Sequence, residues 1–215
     1  MPSTSCDALT LVFAKAPRAG AVKTRLIPAL GAEGAAALHR QLLHRTLVTT
    51  TEAGLGPVEL HGAPDVDDAF LQDCGRRFGV ALLPQHGSDL GARMCHAFEA
   101  GLARHARVII VGADCPVLTA QHLRDAQAAL AAGNDAVLIP AEDGGYALIG
   151  LTQCDARLFD GIAWGTDSVL AATRARFKSL GWRWHELETL WDIDRPRDYR
   201  RWSELLIAND TAPLA

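Results

Sequence analysis

Short apolar runs alternate along the chain with longer segments in which apolar residues recur every three or four positions. The short runs predict strands at 9–14, 58–61, 80–84, 107–113, 136–140, 146–150 and 182–187. The periodic segments predict helices at 33–53, 66–78, from 89 onward, and at 119–132, 167–179 and 196–207. Alternation of this kind is typical of βαβ units, so the pattern predicts an α/β protein with a mostly parallel central sheet and helices on both faces.

The strands at 136–140 and 146–150 are separated by the turn Glu142-Asp143-Gly144-Gly145. Asp-Gly and Gly-Gly are strong turn formers, which predicts a hairpin here. No linker, repeat or low-complexity segment interrupts the pattern elsewhere. A single domain over residues 1–215 is therefore the simplest expectation.

Composition narrows the class of protein. The 21 Lys and Arg residues are outnumbered by 25 Asp and Glu, giving a net charge of −4, which argues against binding to duplex nucleic acid. No apolar stretch approaches the ~18 residues of a membrane span. The first apolar run is preceded by Asp7 and by no Lys or Arg, unlike a signal peptide. We expect a cytoplasmic protein without a membrane or nucleic-acid partner; its oligomeric state stays open.

The five cysteines are widely spaced and form no CxxC pair. This spacing predicts neither a disulfide framework nor a zinc knuckle, so buried or idle thiols are expected. The eight histidines show no HExxH pattern, and no histidine-based zinc site is predicted.

The stretch AKAPRAGAVKTRL, residues 14–26, places Lys15, Arg18, Lys23 and Arg25 in a loop directly after the first strand. Open α/β sheets bind ligands where loops leave the carboxyl ends of strands. Glycine and proline let backbone amides approach an anion, and the cations supply countercharge, which favours a polyphosphate ligand. The loop matches neither a Walker A nor a GxGxxG motif, and a solvated surface loop has the same composition.

The motifs AKAPRAGAVKTRL, GSDLGARM, GADCP, EDGGYALIGL and WDIDRPRD, in this order, resemble the DUF2064 family. That family is glycosyltransferase-like, with members associated with radical-SAM and selenium or arsenosugar gene neighbourhoods. It is similar to the nucleotide-diphospho-sugar transferases of GT-A fold, including the molybdenum cofactor guanylyltransferases. The resemblance spans residues 9 to about 202, and its opening motif together with GADCP is specific.

The resemblance implies that the basic loop binds the nucleotide. Lys15, Lys23 and Arg25 would face the diphosphate, and Lys23 and Arg25 would act in catalysis by stabilising the charge that develops there. Arg18 stands where many relatives have proline and is left out of the site.

Asp114 follows a buried strand in the motif Gly-Ala-Asp-Cys-Pro, at 112–116. A carboxylate in this place can hold Mg²⁺ or Mn²⁺ beside substrate phosphates, and Gly112 leaves room for the nucleotide. The resemblance implies the catalytic metal-binding aspartate of GT-A enzymes, although Cys115 and Pro116 replace their second aspartate. The alternative is a turn-forming aspartate that caps the next helix.

In Asp192-Ile193-Asp194, an extended backbone would direct both aspartates to one side and Ile193 to the other. The resemblance implies that Asp192 is the second metal ligand. Asp194 is predicted either as a metal ligand or as the N-cap of the helix that begins near Pro196.

Three weaker binding candidates are Gly87, Asp89 and Arg93, at the start of a predicted helix. The resemblance implies that this region lines the base and ribose pocket. An N-cap is the alternative role for Asp89.

Asp143, in the predicted turn, is a candidate to bind acceptor hydroxyls or to accept a proton, with Gly144 and Gly145 allowing the acceptor to come close. Trp164 is a candidate wall of the acceptor pocket, and Thr166 is expected to cap the following helix.

These residues support three hypotheses. The first is a nucleotide-sugar-dependent glycosyltransferase, assisted by Mg²⁺ or Mn²⁺ and acting on a small-molecule acceptor. The second is a nucleotidyltransferase, in which an acceptor phosphate attacks a nucleoside triphosphate and pyrophosphate leaves. The third is a nucleotide-binding module without turnover, which the presence of both Asp114 and Asp192 disfavours.

Overall fold

The structure is a computed structural model, and it describes residues 8–210. The strands are β1 Ala8–Lys15, β2 Val58–Ala63, β3 Ala81–Pro84, β4 Arg107–Gly112, β5 Ala136–Pro140, β6 Tyr146–Leu151 and β7 Trp184–Glu186. The helices are α1 Ile27–Ala53, α2 Ala69–Phe78, α3 Leu90–Leu102, α4 Ala120–Ala131, α5 Val169–Leu180 and α6 Pro196–Asp210. Among them, none combines the length and apolar character needed to cross a bilayer.

The strands form one sheet in the order β3-β2-β1-β4-β6-β5-β7. Neighbouring strands run parallel except where β6 pairs antiparallel with both β4 and β5. The mostly parallel sheet predicted from the sequence is therefore confirmed. Strand β1 lies beside β4 with Phe13 opposite Gly112, so the loops that follow these two strands leave the same edge of the sheet.

Helices cover both faces of the sheet, as the strand pattern predicts. Successive residues of β1 point to opposite faces, and they enter two different apolar clusters: Ala8, Val12 and Ala14 in one, and Leu9, Leu11 and Phe13 in the other. Helices α1, α2 and α4 pack into the first cluster, and α3 and α5 into the second.

A third cluster joins the basic loop and α1 to the segment before α6. Leu26, at the end of the basic loop, is fully buried with Leu38 and Leu42 of α1. Trp191 and Ile193, from the segment before α6, complete this cluster. Packing of these side chains holds residues 191–194 against the loop that carries the cations.

Three helix starts differ from the prediction by two residues or more, and one of them is that of α2, which begins at Ala69 and not at residue 66. Helix α1 begins at Ile27, earlier than predicted, and is kinked at Gly31, whose φ of 70° falls in the left-handed region. Helix α5 begins at Val169, later than predicted. The N-cap position is occupied by Ser168 and not by Thr166, whose hydroxyl donates to the carbonyl of Ala163 at 2.7 Å and accepts from the N–H of Ser168 at 3.4 Å.

Candidate functional site

A cavity of about 620 Å³ opens at the carboxyl ends of β1 and β4. Its walls come from the end of β1, the basic loop, the end of β4, the first turn of α3 and residues 164–165. The sequence candidates that line it are Lys15, Lys23, Arg25, Arg93, Gly112, Asp114, Trp164 and Asp194. The basic loop and the GADCP motif thus share one cavity.

Lys23 joins the basic loop to the other two parts of the site. Its Nζ lies 2.6 Å from Oδ1 of Asp114 and donates a 2.5 Å hydrogen bond to the carbonyl of Ile193. Only 5% of the side chain is exposed. The backbone of Lys23 is left-handed (φ 48°), a conformation that non-glycine residues adopt at some energetic cost. The ammonium is directed at Asp114, whereas the sequence predicts that it faces a diphosphate.

The two oxygens of Asp114 have different surroundings. Oδ1 is buried between Lys23 and His39, whereas half of the side-chain surface is open to solvent. Burial is the largest single influence and disfavours the charged carboxylate, but the charge and hydrogen bond of Lys23, with smaller contributions from His39 and Lys15, together hold the pKa of Asp114 below its usual value. Asp114 is therefore ionised at neutral pH, and its outer oxygen is available to a ligand.

His39 is a site residue that the sequence analysis missed. Its Nε2 lies 3.0 Å from the carbonyl of Lys15, and its Nδ1 lies 3.8 Å from Oδ1 of Asp114. Burial lowers the pKa of His39, which makes the neutral imidazole the stable form. Within residues 8–210, Nδ1 has no hydrogen-bond partner. Its position among the buried residues of α1 is typical of core packing, so only the fold reveals its contact with Asp114.

Asp192 belongs to a group of crowded carboxylates. Burial, followed by repulsion from Asp143 and Asp114, raises the pKa of Asp192 to about 6. A bound cation would offset the repulsion that Asp143 and Asp114 exert on Asp192, and oxygen donors suit a hard divalent ion. The type of donor therefore suits Mg²⁺ or Mn²⁺, although within residues 8–210 the oxygens of these three aspartates are not gathered within 4.8 Å of one another.

Asp194 pairs with the basic loop and does not cap the last helix. Its Oδ2 accepts a hydrogen bond from Nη1 of Arg25. The carboxylate that accepts from the backbone N–H groups of Asp194 and Arg195 belongs to Asp198. An acid in the first turn of α6 thus takes the capping role that the sequence offered to Asp194. The carboxylate of Asp194 raises the pKa of Arg25, and the charge of Asp143 adds a smaller contribution in the same direction.

Among the glycine and helix-start candidates, Gly112 is open to the cavity, whereas Gly87 and Asp89 have structural roles at the start of α3. A Cβ built on Gly112 would meet no protein atom within 4 Å, so this position is open towards the cavity. A Cβ on Gly87 (φ 145°) would lie 2.6 Å from the backbone nitrogen of Arg93, so Gly87 allows the chain to pack against α3. Asp89 caps α3 by accepting from the N–H of Ala92 at 2.8 Å, and it lines a second cavity.

The predicted hairpin forms, but one of its glycines is not open to an acceptor. The N–H of Ala141 donates to Gly145 at 3.0 Å, closing the turn. A Cβ on Gly144 would lie 2.2 Å from the carbonyl oxygen of Asp167, because the backbone there fills the space. Asp143 is exposed, and its Oδ1 accepts from the N–H of Gly145 at 2.9 Å.

Two further cavity residues complete the walls. Trp164 lies against Gly91 of α3, where a Cβ would come within 2.5 Å of the indole nitrogen. Gln85, which the sequence analysis did not single out, donates to the carbonyls of His61 at 2.8 Å and Ala14 at 3.3 Å. Arg18 does not line this cavity; it forms an ion pair with Asp65 at 2.8 Å.

The sheet order and helix arrangement are those of the nucleotide-diphospho-sugar transferases and nucleotidyltransferases with a GT-A-like fold. A provisionally described nucleotide-diphospho-sugar transferase from Desulfovibrio desulfuricans G20 is 30% identical, with a TM-score of 0.79 over 88% of this chain and 83% of that one. The 4-diphosphocytidyl-2C-methyl-D-erythritol synthase of Anaerococcus prevotii DSM 20548 is 12% identical, with a TM-score of 0.62 over 94% and 97%. Glucosyl-3-phosphoglycerate synthase from Mycobacterium tuberculosis, in complex with Mn²⁺, UDP and glucosyl-3-phosphoglycerate, is 9% identical, with a TM-score of 0.57 over 90% and 74%.

Within this class, the chain belongs to the DUF2064 family, described as uncharacterised proteins conserved in bacteria. The family profile matches residues 46–166. A search of curated proteins finds no significant sequence match.

Proposed function

We propose that this protein is a transferase that binds a nucleotide sugar with Mg²⁺ or Mn²⁺ and moves the glycosyl group to a small-molecule acceptor. One observation carries the proposal: Lys23 and Arg25 of the basic loop meet Asp114 and Asp194 at the rim of a single cavity. Cations and carboxylates in one cavity suit a metal-bound diphosphate, because the cations can pair with the phosphate oxygens and the carboxylates with the metal ion.

Asp114 and Asp192 would hold the divalent ion, with Asp143 and Asp194 nearby. Asp114 offers its outer oxygen, because its inner oxygen is bound to Lys23. When bound, the ion neutralises charge on the diphosphate and so makes it a better leaving group.

The cations have separate tasks. Lys23 is a positioning residue that fixes Asp114 and ties residues 192–194 to the loop through the carbonyl of Ile193. Arg25 and Lys15 are exposed at the cavity and would bind the diphosphate oxygens directly. Binding by Arg25 requires its guanidinium to exchange or share its contact with Asp194.

In the transfer step, a hydroxyl oxygen of the acceptor forms a bond to the anomeric carbon. The bond between that carbon and the diphosphate oxygen breaks, and the nucleoside diphosphate leaves with the electron pair. Asp143 would receive the hydroxyl proton on the oxygen that does not accept from Gly145. Arg25 and Lys15 would stabilise the charge that develops on the leaving diphosphate.

The test is a screen of nucleotide sugars and nucleoside triphosphates, each with Mg²⁺ or Mn²⁺, by thermal shift and by product analysis. A bound ligand raises the melting temperature by mass action, so the best ligand identifies the donor. The proposal expects release of a nucleoside diphosphate from a nucleotide sugar, dependent on the metal and lost in Asp114→Asn.

The same screen contains the contrary outcomes. Release of pyrophosphate from a nucleoside triphosphate would assign nucleotidyl transfer instead. Tight nucleotide binding without any turnover, unchanged by Asp114→Asn, would indicate a binding module. Full transfer in the presence of excess chelator would contradict the metal-assisted arrangement.

A further inference from the structure

A second group of metal-binding atoms lies away from the carboxylates of the main cavity. Cys95 and Glu99 are one turn apart on α3, and Cys154 follows β6. The sulfur and carboxylate atoms of these three residues all lie within 4.8 Å of one another. Both thiols are free and half-buried, and Glu99 is exposed.

The distances match the edges of a tetrahedral zinc site. The two sulfur atoms are 3.9 Å apart, and Sγ of Cys95 is 3.7 Å from Oε1 of Glu99. With Zn–S of about 2.3 Å and Zn–O of about 2.1 Å, tetrahedral angles give edges of about 3.8 Å between sulfurs and about 3.6 Å between sulfur and oxygen. Two of the three ligand-to-ligand distances in the protein thus already match those of a tetrahedral zinc site.

The cluster opens on a second cavity, which leaves space for a fourth ligand. Cys95 and Glu99 line the second cavity, of about 460 Å³, together with Asp89 and His96 of the same region. The carboxylates of Glu99 and Asp155 act on both thiols electrostatically, although Asp155 is paired at 2.6 Å with Arg157, which also lines the cavity. Burial and these negative charges raise the pKa of both thiols, so the free site holds neutral SH groups.

We infer that Cys95, Cys154 and Glu99 form a binding site for a thiophilic divalent cation, of which Zn²⁺ is the representative. Three protein ligands leave one position of the tetrahedron for water from the cavity. On binding, each thiol releases one proton to solvent, and the ion is held by two thiolates and one carboxylate. The bound ion joins α3 to the segment after β6, and Mg²⁺ does not replace it because sulfur is a poor ligand for a hard ion.

The site is independent of the proposed transferase chemistry. Arg93 and Leu90 of α3 line the main cavity, whereas Ala92, Cys95 and Glu99 of the same helix line the second. The helix therefore separates the two sites, and either can be tested without the other.

The test is a titration of the reduced full-length protein with Co²⁺, which reports thiolate coordination by its absorption, in buffer containing excess Mg²⁺ to occupy the carboxylates. We expect one equivalent of Co²⁺ to produce thiolate charge-transfer and tetrahedral d–d bands, and Zn²⁺ to abolish them by displacement. Cys95→Ser and Cys154→Ser should each lose the charge-transfer band of the site. Glu99→Gln should bind at least about tenfold more weakly.

Cys74→Ala is the matched control, because Cys74 is a free, buried thiol in the cluster on the opposite face of the sheet. It should keep the spectrum and the stoichiometry of the wild type. The inference is overturned if the reduced wild-type protein gives no charge-transfer band, or if the band survives in the Cys95→Ser/Cys154→Ser double variant. Circular dichroism of each variant verifies that loss of the band does not reflect unfolding.

Discussion

Nζ of Lys23 lies 2.6 Å from Oδ1 of Asp114, so the loop after β1 and the segment that follows β4 are joined by an ion pair between two residues that line the cavity. The ammonium is almost fully enclosed, with 5% of the Lys23 side chain exposed. The neighbouring pair of Arg25 and Asp194 is much more open, with 59% and 34% exposed. The two pairs therefore have different energetic weight, because solvent screens the second far more than the first.

Removing the buried member of the first pair should destabilise the protein. Lys23→Met leaves Oδ1 of Asp114 enclosed without its countercharge, and we expect a loss of about 1–3 kcal/mol in the free energy of unfolding, limited by the exposure of the other oxygen. Arg25→Met should leave stability unchanged within error. Urea denaturation measures both. If the pair is coupled, Lys23→Met/Asp114→Asn should lose less than the two single variants added together.

Of the two arginines in the basic loop, Arg25 should matter for nucleotide binding and Arg18 should not. Arg25 lines the cavity. Arg25→Met should therefore weaken binding of the nucleotide ligand that the screen identifies by about tenfold or more. Arg18→Met is the control, because Arg18 is engaged with Asp65 outside the cavity wall. Isothermal titration calorimetry compares them. Equal affinities for the two variants would show that the diphosphate lies elsewhere.

Alanine substitutions at Gly112 and Gly144 should have different effects, the first on ligand binding and the second on stability. Gly112→Ala adds a methyl group that meets no protein atom, so stability should be unchanged while the nucleotide binds more weakly. Gly144→Ala should lose about 2 kcal/mol or more, because its φ of 90° is unfavourable for alanine and its Cβ would overlap Asp167. Thermal unfolding and ligand titration distinguish the two effects. A destabilised Gly112→Ala variant would show that this position is not open space.

The crowded carboxylates should make the protein respond to divalent ions. Mn²⁺ should raise the melting temperature of the wild type, because it relieves repulsion among Asp114, Asp143 and Asp192. Asp192→Asn should show a smaller increase, since one ligand and one negative charge are gone. Asp73→Asn, on the exposed surface of α2, serves as control and should behave as the wild type. An identical response of all three proteins would place the ion elsewhere.

The free energy of unfolding should fall on acidification because of two buried titratable residues of β2, Glu59 and His61. Glu59 receives hydrogen bonds from Arg104 at 2.8 Å and lies 3.1 Å from Nε2 of His61, which also faces the charge of His96. Burial lowers the pKa of His61, and for Glu59 the contacts with Arg104 and His61 outweigh burial and lower its pKa. Each group therefore adds stability above its unfolded pKa that is lost as pH falls through its folded pKa.

The free energy of unfolding should accordingly decline from about pH 6.5 downward as His61 and the likewise buried His39 are forced to protonate, and again below about pH 4.3 as Glu59 does. His61→Gln should make the first part of this profile less steep, and the slope that is left belongs to His39. His185→Gln, at an exposed position of β7, should keep the wild-type slope. Denaturation series at several pH values test this, and a wild-type slope in His61→Gln would assign the acid sensitivity to another group.

The sequence predicted the sheet well, because buried strands carry a strong local signal. Each predicted strand exists, and the hairpin between β5 and β6 follows from its turn residues. The insertion of β6 between β4 and β5 has no such signal, since strand order depends on how the faces pack after the elements form. The proximity of the basic loop to Asp114 followed from the rule that ligands bind at the carboxyl ends of parallel strands.

Contacts between distant side chains were less predictable. Asp194 and Asp198 both suit a cap at the start of α6, and only the structure shows that Asp198 takes that role while Asp194 turns to Arg25. Cys95 and Cys154 are far apart in sequence, so their spacing resembles no metal motif. These relationships arise from the packing of α3 and of residues 191–194, which no local pattern encodes.

The bond from Lys23 to the carbonyl of Ile193 has a consequence for biosynthesis. Strand β1 and the basic loop emerge from the ribosome early, but their partner in this contact lies close to the carboxyl end of the chain. The sheet β3-β2-β1-β4 can pair while synthesis continues, because chains fold from the amino end as they are made. Residues 192–194 can join the cavity wall only after the strands of the sheet have been made, so a nascent chain stalled before residue 192 would lack this part of the wall.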